Sequence, residues 1–214
     1  MTLQTRRRFL ATTIVAALCT PTLHTRAAEN EWTPLFDGKA LGQWKETDFA
    51  GKGEVTVKDG QIILGTGGDI TGVNLAAAPA KTDYEVEFKA MRVQGDDFFV
   101  GFTFPVGEKH VTFIAGGWGG TVTGISNVNG ENASENETTQ FKKYENGHWY
   151  RVRVKVTKAK LDVWIDDEQM VKLELEDKQL SMRAGEIESS APFGFASYRT
   201  TAALKEIRWR KVQP

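Results

Sequence analysis

An all-β sandwich of two antiparallel sheets is the architecture to expect from this chain. Apolar residues recur at every second position through most of it, and turn-favouring pairs separate the runs. No long stretch carries the 3.6-residue period of an amphipathic helix. Val55 and Val57, then Ile62 and Leu64, flank Asp59-Gly60, a pair suited to a two-residue hairpin turn. Tyr84, Val86 and Phe88 alternate with Glu85, Glu87 and Lys89, and Phe98, Val100, Phe102 and Phe104 are expected on one face of the next strand. Tyr150, Val152, Val154 and Val156 alternate with Arg151, Arg153 and Lys155. Leu161, Val163 and Ile165 alternate with Asp162, Trp164 and Asp166, before Asp166-Asp167-Glu168-Gln169, which reads as a hairpin turn. Residues 193–198 and 204–212 supply the last of about a dozen short strands. Each strand buries one side between the sheets and offers the other to solvent or ligand. Residues 116–139, opening Gly116-Gly117-Trp118-Gly119-Gly120 and rich in Asn, Ser and Glu, read as one long loop, a feature that often carries function.

Composition narrows the functional classes. The 214 residues are 40% hydrophobic and 26% charged, which excludes wholesale disorder and suits one domain. No apolar run approaches the roughly 18 residues of a membrane-spanning helix. The formal net charge of −1 gives no electrostatic footprint for nucleic acid. A single cysteine, Cys19, excludes an internal disulfide and a cysteine-based metal site. Residues 1–28 carry Arg6, Arg7, Arg8 and Arg26 and no acid, and Thr5-Arg6-Arg7-Arg8-Phe9-Leu10 with the short apolar stretch after it resembles a twin-arginine export signal. Cleavage near Ala27 or Ala28 would leave residues 29–214 as a single β-sandwich domain, periplasmic or secreted. Leu18 before Cys19 argues against lipidation. Without the four arginines of this leader, 23 of the 27 basic residues face all 28 acidic ones, a net charge of −5 on a thiol-free chain. That suits an oxidising space.

The segment Trp32-Thr-Pro-Leu35-Phe36-Asp37-Gly38-Lys39-Ala-Leu41-Gly-Gln-Trp44 resembles the opening of the 3-keto-disaccharide hydrolase domain family. Further blocks agree: Asp83-Tyr-Glu-Val-Glu-Phe88, Gly147-His-Trp149-Tyr-Arg-Val-Arg-Val154 with Val163-Trp-Ile-Asp166, Phe193-Gly-Phe-Ala, and Ala203-Leu-Lys-Glu-Ile-Arg-Trp-Arg210. The resemblance spans residues 32–212 and implies a concanavalin-like jelly roll, export, and cleavage of glycosides whose sugar bears a ketone at C3. The sequence departs from the family at one place. Where family members carry an E-x-Q-x-x-D strand, this chain has His110-Val-Thr-Phe-Ile-Ala-Gly116, without the central acid.

A C3 ketone acidifies the C2 hydrogen and sets the C1 leaving group β to it, so elimination followed by water addition is easier than direct hydrolysis. Such chemistry needs a base, an acid, and donors or a metal for the enolate. His110, beside the missing acid, titrates near neutrality and is a candidate base or ligand. Glu135 is expected to supply the absent acid, and Asp97 of the strand-end pair Asp96-Asp97 is the third candidate. Glu85 and Glu87, two apart on one strand, form an alternative pair on the face away from the core, with Arg151, Arg153 and Lys155 available as cross-strand partners. Trp118, between two Gly-Gly pairs, is placed to present its indole to a sugar ring. Asn127, Asn129, Asn132 and Asn136 offer groups for hydroxyl recognition. Arg151 and Trp164, on outward strand faces, complete the binding set. Two histidines in the mature chain cannot build a three-histidine zinc site, whereas a carboxylate-rich calcium site remains open. A carbohydrate is the expected partner; a noncatalytic lectin-like module of the cell envelope is the alternative, and the oligomeric state is not fixed.

Overall fold

The computed structural model describes residues 31–213, so the expected leader at residues 1–28 lies outside the described residues. Fifteen strands follow one another, numbered β1–β15 in chain order. One sheet holds eight: β1 (Thr33–Pro34), β3 (Val55–Lys58), β4 (Gln61–Leu64), β6 (Tyr84–Gln94), β11 (Trp149–Val156), β12 (Lys160–Ile165), β13 (Glu168–Glu174) and β15 (Thr201–Lys211). The other holds seven: β2 (Lys45–Glu46), β5 (Ile70–Leu75), β7 (Val100–Val106), β8 (Lys109–Gly116), β9 (Val122–Ser126), β10 (Gln140–Phe141) and β14 (Phe193–Tyr198). The first is ordered β13-β12-β11-β6-β15-β4-β3, with β1 pairing to β15, and the second β10-β9-β8-β7-β14-β5-β2. Every pairing is antiparallel. This is the two-sheet antiparallel sandwich that the alternation predicts, and its jelly-roll-like form is the one that the family resemblance implies.

The period-two residues meet between the sheets. Phe88 from β6 packs edge-on against Phe102 of β7 and Phe195 of β14, with ring centroids 5.3 and 4.7 Å apart. Burying each such side chain contributes about 1.5–3 kcal/mol. The Tyr84 hydroxyl reaches across and donates to the Pro105 carbonyl at 2.6 Å, and full burial pushes its phenol well above the usual value. The opening motif has a local reason. Asp37 accepts backbone N–H bonds from Lys39 (2.8 Å) and Ala40 (3.2 Å), turning the chain at Gly38. That turn sends Trp44 back, where its indole donates to the Leu35 carbonyl at 2.8 Å and its ring packs against Phe193 and Phe195.

Two turns form where the sequence placed them: Asp59 and Gly60 join β3 to β4 at positive φ, and Asp166 and Asp167 join β12 to β13. Two expectations need correction. Residues 116–139 are not one loop, because Val122–Ser126 pair with β8 as β9, after a tight turn at Gly117–Gly120. Phe98 does not share the core face of Val100, Phe102 and Phe104; it precedes β7 and folds onto the sheet's outer side, its ring 2.9 Å from where a Cβ on Gly101 would stand. A side chain at 101 would displace the Phe98 ring from that position. Among the described residues, a one-turn 3₁₀ segment, Glu186–Ser190, and the short strands β1, β2 and β10 are additions that the alternation did not signal.

Candidate functional site

On the outer face of the seven-stranded sheet lies a cleft of about 350 Å³. Its floor is Thr112 and Ile114 of β8, Ser126 of β9, Ile70 of β5 and Tyr198 of β14; its walls come from three connecting segments. The β6–β7 connection brings Asp97 and Phe98, whose ring stacks on Tyr198 at 5.8 Å and 26°. The β8–β9 turn brings Trp118, 41% exposed and in the left-handed region (φ 50°, ψ 52°). The segment after β13 brings Arg183, Ala184, Glu186 and Ile187.

Asp97 ties the first two of these segments together. One carboxylate oxygen accepts the Phe98 N–H at 2.7 Å and the other the Gly119 N–H at 3.1 Å, while its own N–H donates to Thr200 Oγ1. The carboxylate therefore locks the turn that carries Trp118. Gly120, at φ +103°, lets that turn sit down on the β6–β7 connection, since a Cβ there would stand 2.7 Å from the Asp96 carbonyl. The Arg183 guanidinium lies 5.5 Å from the centre of the Trp118 ring, within cation–π range. The cleft thus offers an aromatic platform, hydroxyls at Thr112, Ser126 and Tyr198, one guanidinium and two carboxylates, Asp97 and Glu186. A larger hollow of about 700 Å³ opens at the opposite end of the β7–β8 hairpin, but it is lined by Lys109, Lys158 and Lys178 and by no carboxylate. Acid–base work has no pair of groups there, so the smaller cleft is the candidate.

Of the residues singled out in the sequence, Asp97 and Trp118 meet in this cleft. The others do not line it. His110 faces Pro105 across β7 and β8, near Lys81; burial, then the Lys81 charge, hold its pKa below the usual value. Glu135 is exposed and accepts a bond from the Asn132 amide at 2.5 Å, so it does not stand in for the missing acid inside the cleft. The asparagines brace the chain rather than face a ligand. Asn132 Oδ1 accepts from Ser134, Asn129 exchanges bonds with Gln179, and the Asn127 N–H donates to the Ser181 carbonyl. Asn136 is buried, its amide donating to the carbonyls of Ile125, Glu131 and Asn132. Short side chains that bond to nearby backbone stabilise irregular chain in this way.

Glu85, Glu87, Arg151 and Trp164 sit on the outer side of the eight-stranded sheet, on the other side of the sandwich. The register sets Glu85 between Lys155 and Arg210, and Glu87 between Arg153 and Arg208. Arg210 holds Glu85 through Nε (2.8 Å) and Nη2 (2.5 Å), with Arg153 at 3.7 Å, and Glu85 is 3% exposed. Arg153 in turn lies over Trp164 at 4.1 Å, and Arg151 pairs with Asp167. The proposed carboxylate pair is an ion-pair ladder, because both flanking strands supply cations. Sequence reading missed Arg183 and Glu186, which lie in an aperiodic stretch between β13 and β14 where only Gly185 and Pro192 mark a break. Among the described residues no group of three or more His, Cys, Asp or Glu side chains is arranged to hold a metal ion, so the calcium expectation finds no fitting donor set.

Several solved structures of the same fold carry the names of carbohydrate-active proteins. One, from work on endo-acting O-glycanases of the human gut microbiota that initiate mucin breakdown, is 14% identical with a TM-score of 0.57, covering 85% of this chain and 100% of its own. A glycosyl hydrolase family protein from Mycobacterium fortuitum is 9% identical with a TM-score of 0.51, covering 85% and 99%. The carbohydrate-binding module CBM66 from Bacillus subtilis is 12% identical with a TM-score of 0.50, covering 79% and 96%. At these identities they establish the sandwich fold. No match is found among curated proteins. The model of the family described as the 3-keto-alpha-glucoside-1,2-lyase-like domain matches residues 31–213, and the chain belongs to that family.

Proposed function

We propose that the protein is an exported enzyme that binds 3-keto glycosides in the Asp97–Trp118 cleft and cleaves them by elimination. The observation that carries this reading is the convergence of Trp118, Asp97, Arg183 and Glu186 from three connecting segments onto one cleft. Trp118 stacks on the apolar face of the ring, and Thr112 and Ser126 meet its hydroxyls. Asp97, fixed by two backbone N–H groups, takes the proton from C2. The electron pair moves onto the C3 carbonyl oxygen, where the Arg183 guanidinium stabilises the enolate. It then returns to form the C1–C2 double bond as the C1–O bond breaks, and Glu186 gives the leaving oxygen its proton. Water addition to the resulting enone yields the free 3-keto sugar, so the net change is hydrolysis.

A noncatalytic carbohydrate-binding role is the second reading. It is favoured by the engagement of both Asp97 oxygens with backbone donors, since a purely structural clasp would look the same. Titration of the mature protein with a 3-keto-disaccharide, paired with product analysis, separates the two. The account expects binding and cleavage, with Trp118→Ala weakening binding about tenfold through loss of the aromatic contact. Binding without any product would establish the second reading, and unchanged affinity in Trp118→Ala would remove the site.

A further inference from the structure

The large hydrophobic side chains left exposed among the described residues are three: Trp118, Val93 and Phe141, the last 74% exposed. Phe141 belongs to β10, the two-residue edge strand of the sheet that carries the cleft. Register fixes where it stands. Phe141 is paired with Val122 of β9, and Val122 is bridged to Gly117, the residue before Trp118. Directly paired residues point to the same face. Val122 clusters with the cleft-floor Ile114 and with Phe98, so Phe141 is on the cleft face too. With neighbouring strands about 4.8 Å apart, its Cα lies roughly 10 Å from that of Gly117.

The aromatic residues of this end of the face follow the strand order. Tyr198 is on β14, Phe98 lies over Gly101 of β7, Trp118 caps the β8–β9 turn, and Phe141 stands on β10. The row crosses the strands and begins in the cleft. We propose that the bound sugar continues past Trp118 to a second aromatic subsite at Phe141, so that the substrate is an oligosaccharide rather than a disaccharide alone. The terminal 3-keto unit occupies the cleft, and the chain on its leaving-group side runs over the sheet edge. This rests on the sugar-site reading above. A second copy of the chain is the competing occupant of an exposed edge, but β10 is only two residues long and is followed by Lys142 and Lys143, features that oppose edge-to-edge pairing.

The test is calorimetric titration with 3-keto-maltose and with maltohexaose oxidised at C3 of its terminal unit. Glu186→Gln protein, which lacks the proton donor for the leaving oxygen and keeps the Asp97 clasp on the Trp118 turn, is used so that the probes are not consumed. The hexasaccharide is expected to bind about three- to tenfold more tightly than the disaccharide, the range one aromatic contact supplies. Phe141→Ala in the same background should erase that difference while leaving 3-keto-maltose unchanged, and Trp118→Ala should weaken both. Equal affinity for the two lengths, or a length effect that survives Phe141→Ala, overturns the subsite while leaving the cleft reading intact. Failure of both probes to bind overturns both. If size-exclusion chromatography shows a dimer that Phe141→Ala converts to monomer with sugar affinity unchanged, Phe141 is a self-association contact and the proposal falls.

Discussion

Asp97 links the fold to the candidate site, because its two oxygens clasp the Phe98 and Gly119 amides and so fix the turn holding Trp118. Arg183 is different: it has no ion-pair partner among the described residues and rests against the Trp118 ring. A guanidinium in that setting is free to face an oxyanion. Arg183→Met keeps the apolar stem while removing the charge, and it is expected to lower kcat by about a hundredfold with KM changed little, as for loss of one oxyanion donor. Steady-state kinetics on a 3-keto-disaccharide read this directly, and an effect confined to KM would reassign Arg183 to ground-state binding. Asp97 and Trp118 were legible in the sequence because an acid at a strand end and an indole among glycines are local signals. Arg183 and Glu186 were not, since what brings them to the cleft is the path of the chain between β13 and β14, which leaves no period to read.

Strand pairing decides what a charged residue does here. Alternation alone put Glu85 and Glu87 on an outward face and offered Arg151, Arg153 and Lys155 as partners from the next strand; the register keeps Arg153 and Lys155 and sets Arg151 opposite Lys89 instead. The second row of cations, Arg208 and Arg210 on β15, comes from more than a hundred residues along the chain, and only the register β11-β6-β15 shows the glutamates flanked from both sides. Glu85→Ala is therefore expected to cost about 2 kcal/mol, the size of a charge-assisted bond to a partly exposed partner. For a protein of this length that lowers the melting temperature by about 4–8 °C, while activity per folded molecule stays unchanged. Differential scanning calorimetry and a rate assay below the transition test the pair of outcomes together, and a stable but inactive variant would return the pair to catalysis. The Phe98 face was misread for a related reason: β7 starts at Val100, so the alternation that holds from Val100 to Val106 does not extend back to residue 98. Likewise the Asn-rich stretch looked like a ligand-facing loop, whereas its side chains bond within the protein: Asn136 to three carbonyls, Asn132 to Glu135 and Ser134, and Asn129 to Gln179.

For the whole molecule, the sandwich itself was the most legible feature, because dozens of alternating positions each report the same two-layer burial. The Trp32–Trp44 motif adds a brace in which Trp44 is sewn to Leu35 beneath the β14 phenylalanines. Among the described residues, the acid response has contributions from Asp37 and Glu108, whose carboxyls are held below the usual range by the Lys39 and Ala40 N–H groups and by Lys81, and, nearer neutrality, from His110. Burial and Lys81 lower the pKa of His110 from 6.5, so the unfolded chain takes up the proton more readily. Stability from this group is complete above pH 6.5, is lost as the pH falls toward the lowered value, and changes no further below it. His110→Gln should flatten the decline in melting temperature between about pH 7.5 and 5, as seen by thermal denaturation monitored through the tryptophans. An identical slope in the variant would move the acid sensitivity elsewhere.

The claim that the cleft performs elimination from C2 is tested most directly by running the reaction in deuterium oxide and examining the released 3-keto sugar by proton NMR. Elimination and hydration place solvent deuterium at C2, above an enzyme-free control, and Asp97→Asn should abolish both the incorporation and the cleavage. Cleavage that retains the C2 hydrogen, or that proceeds equally fast in Asp97→Asn, would contradict the account.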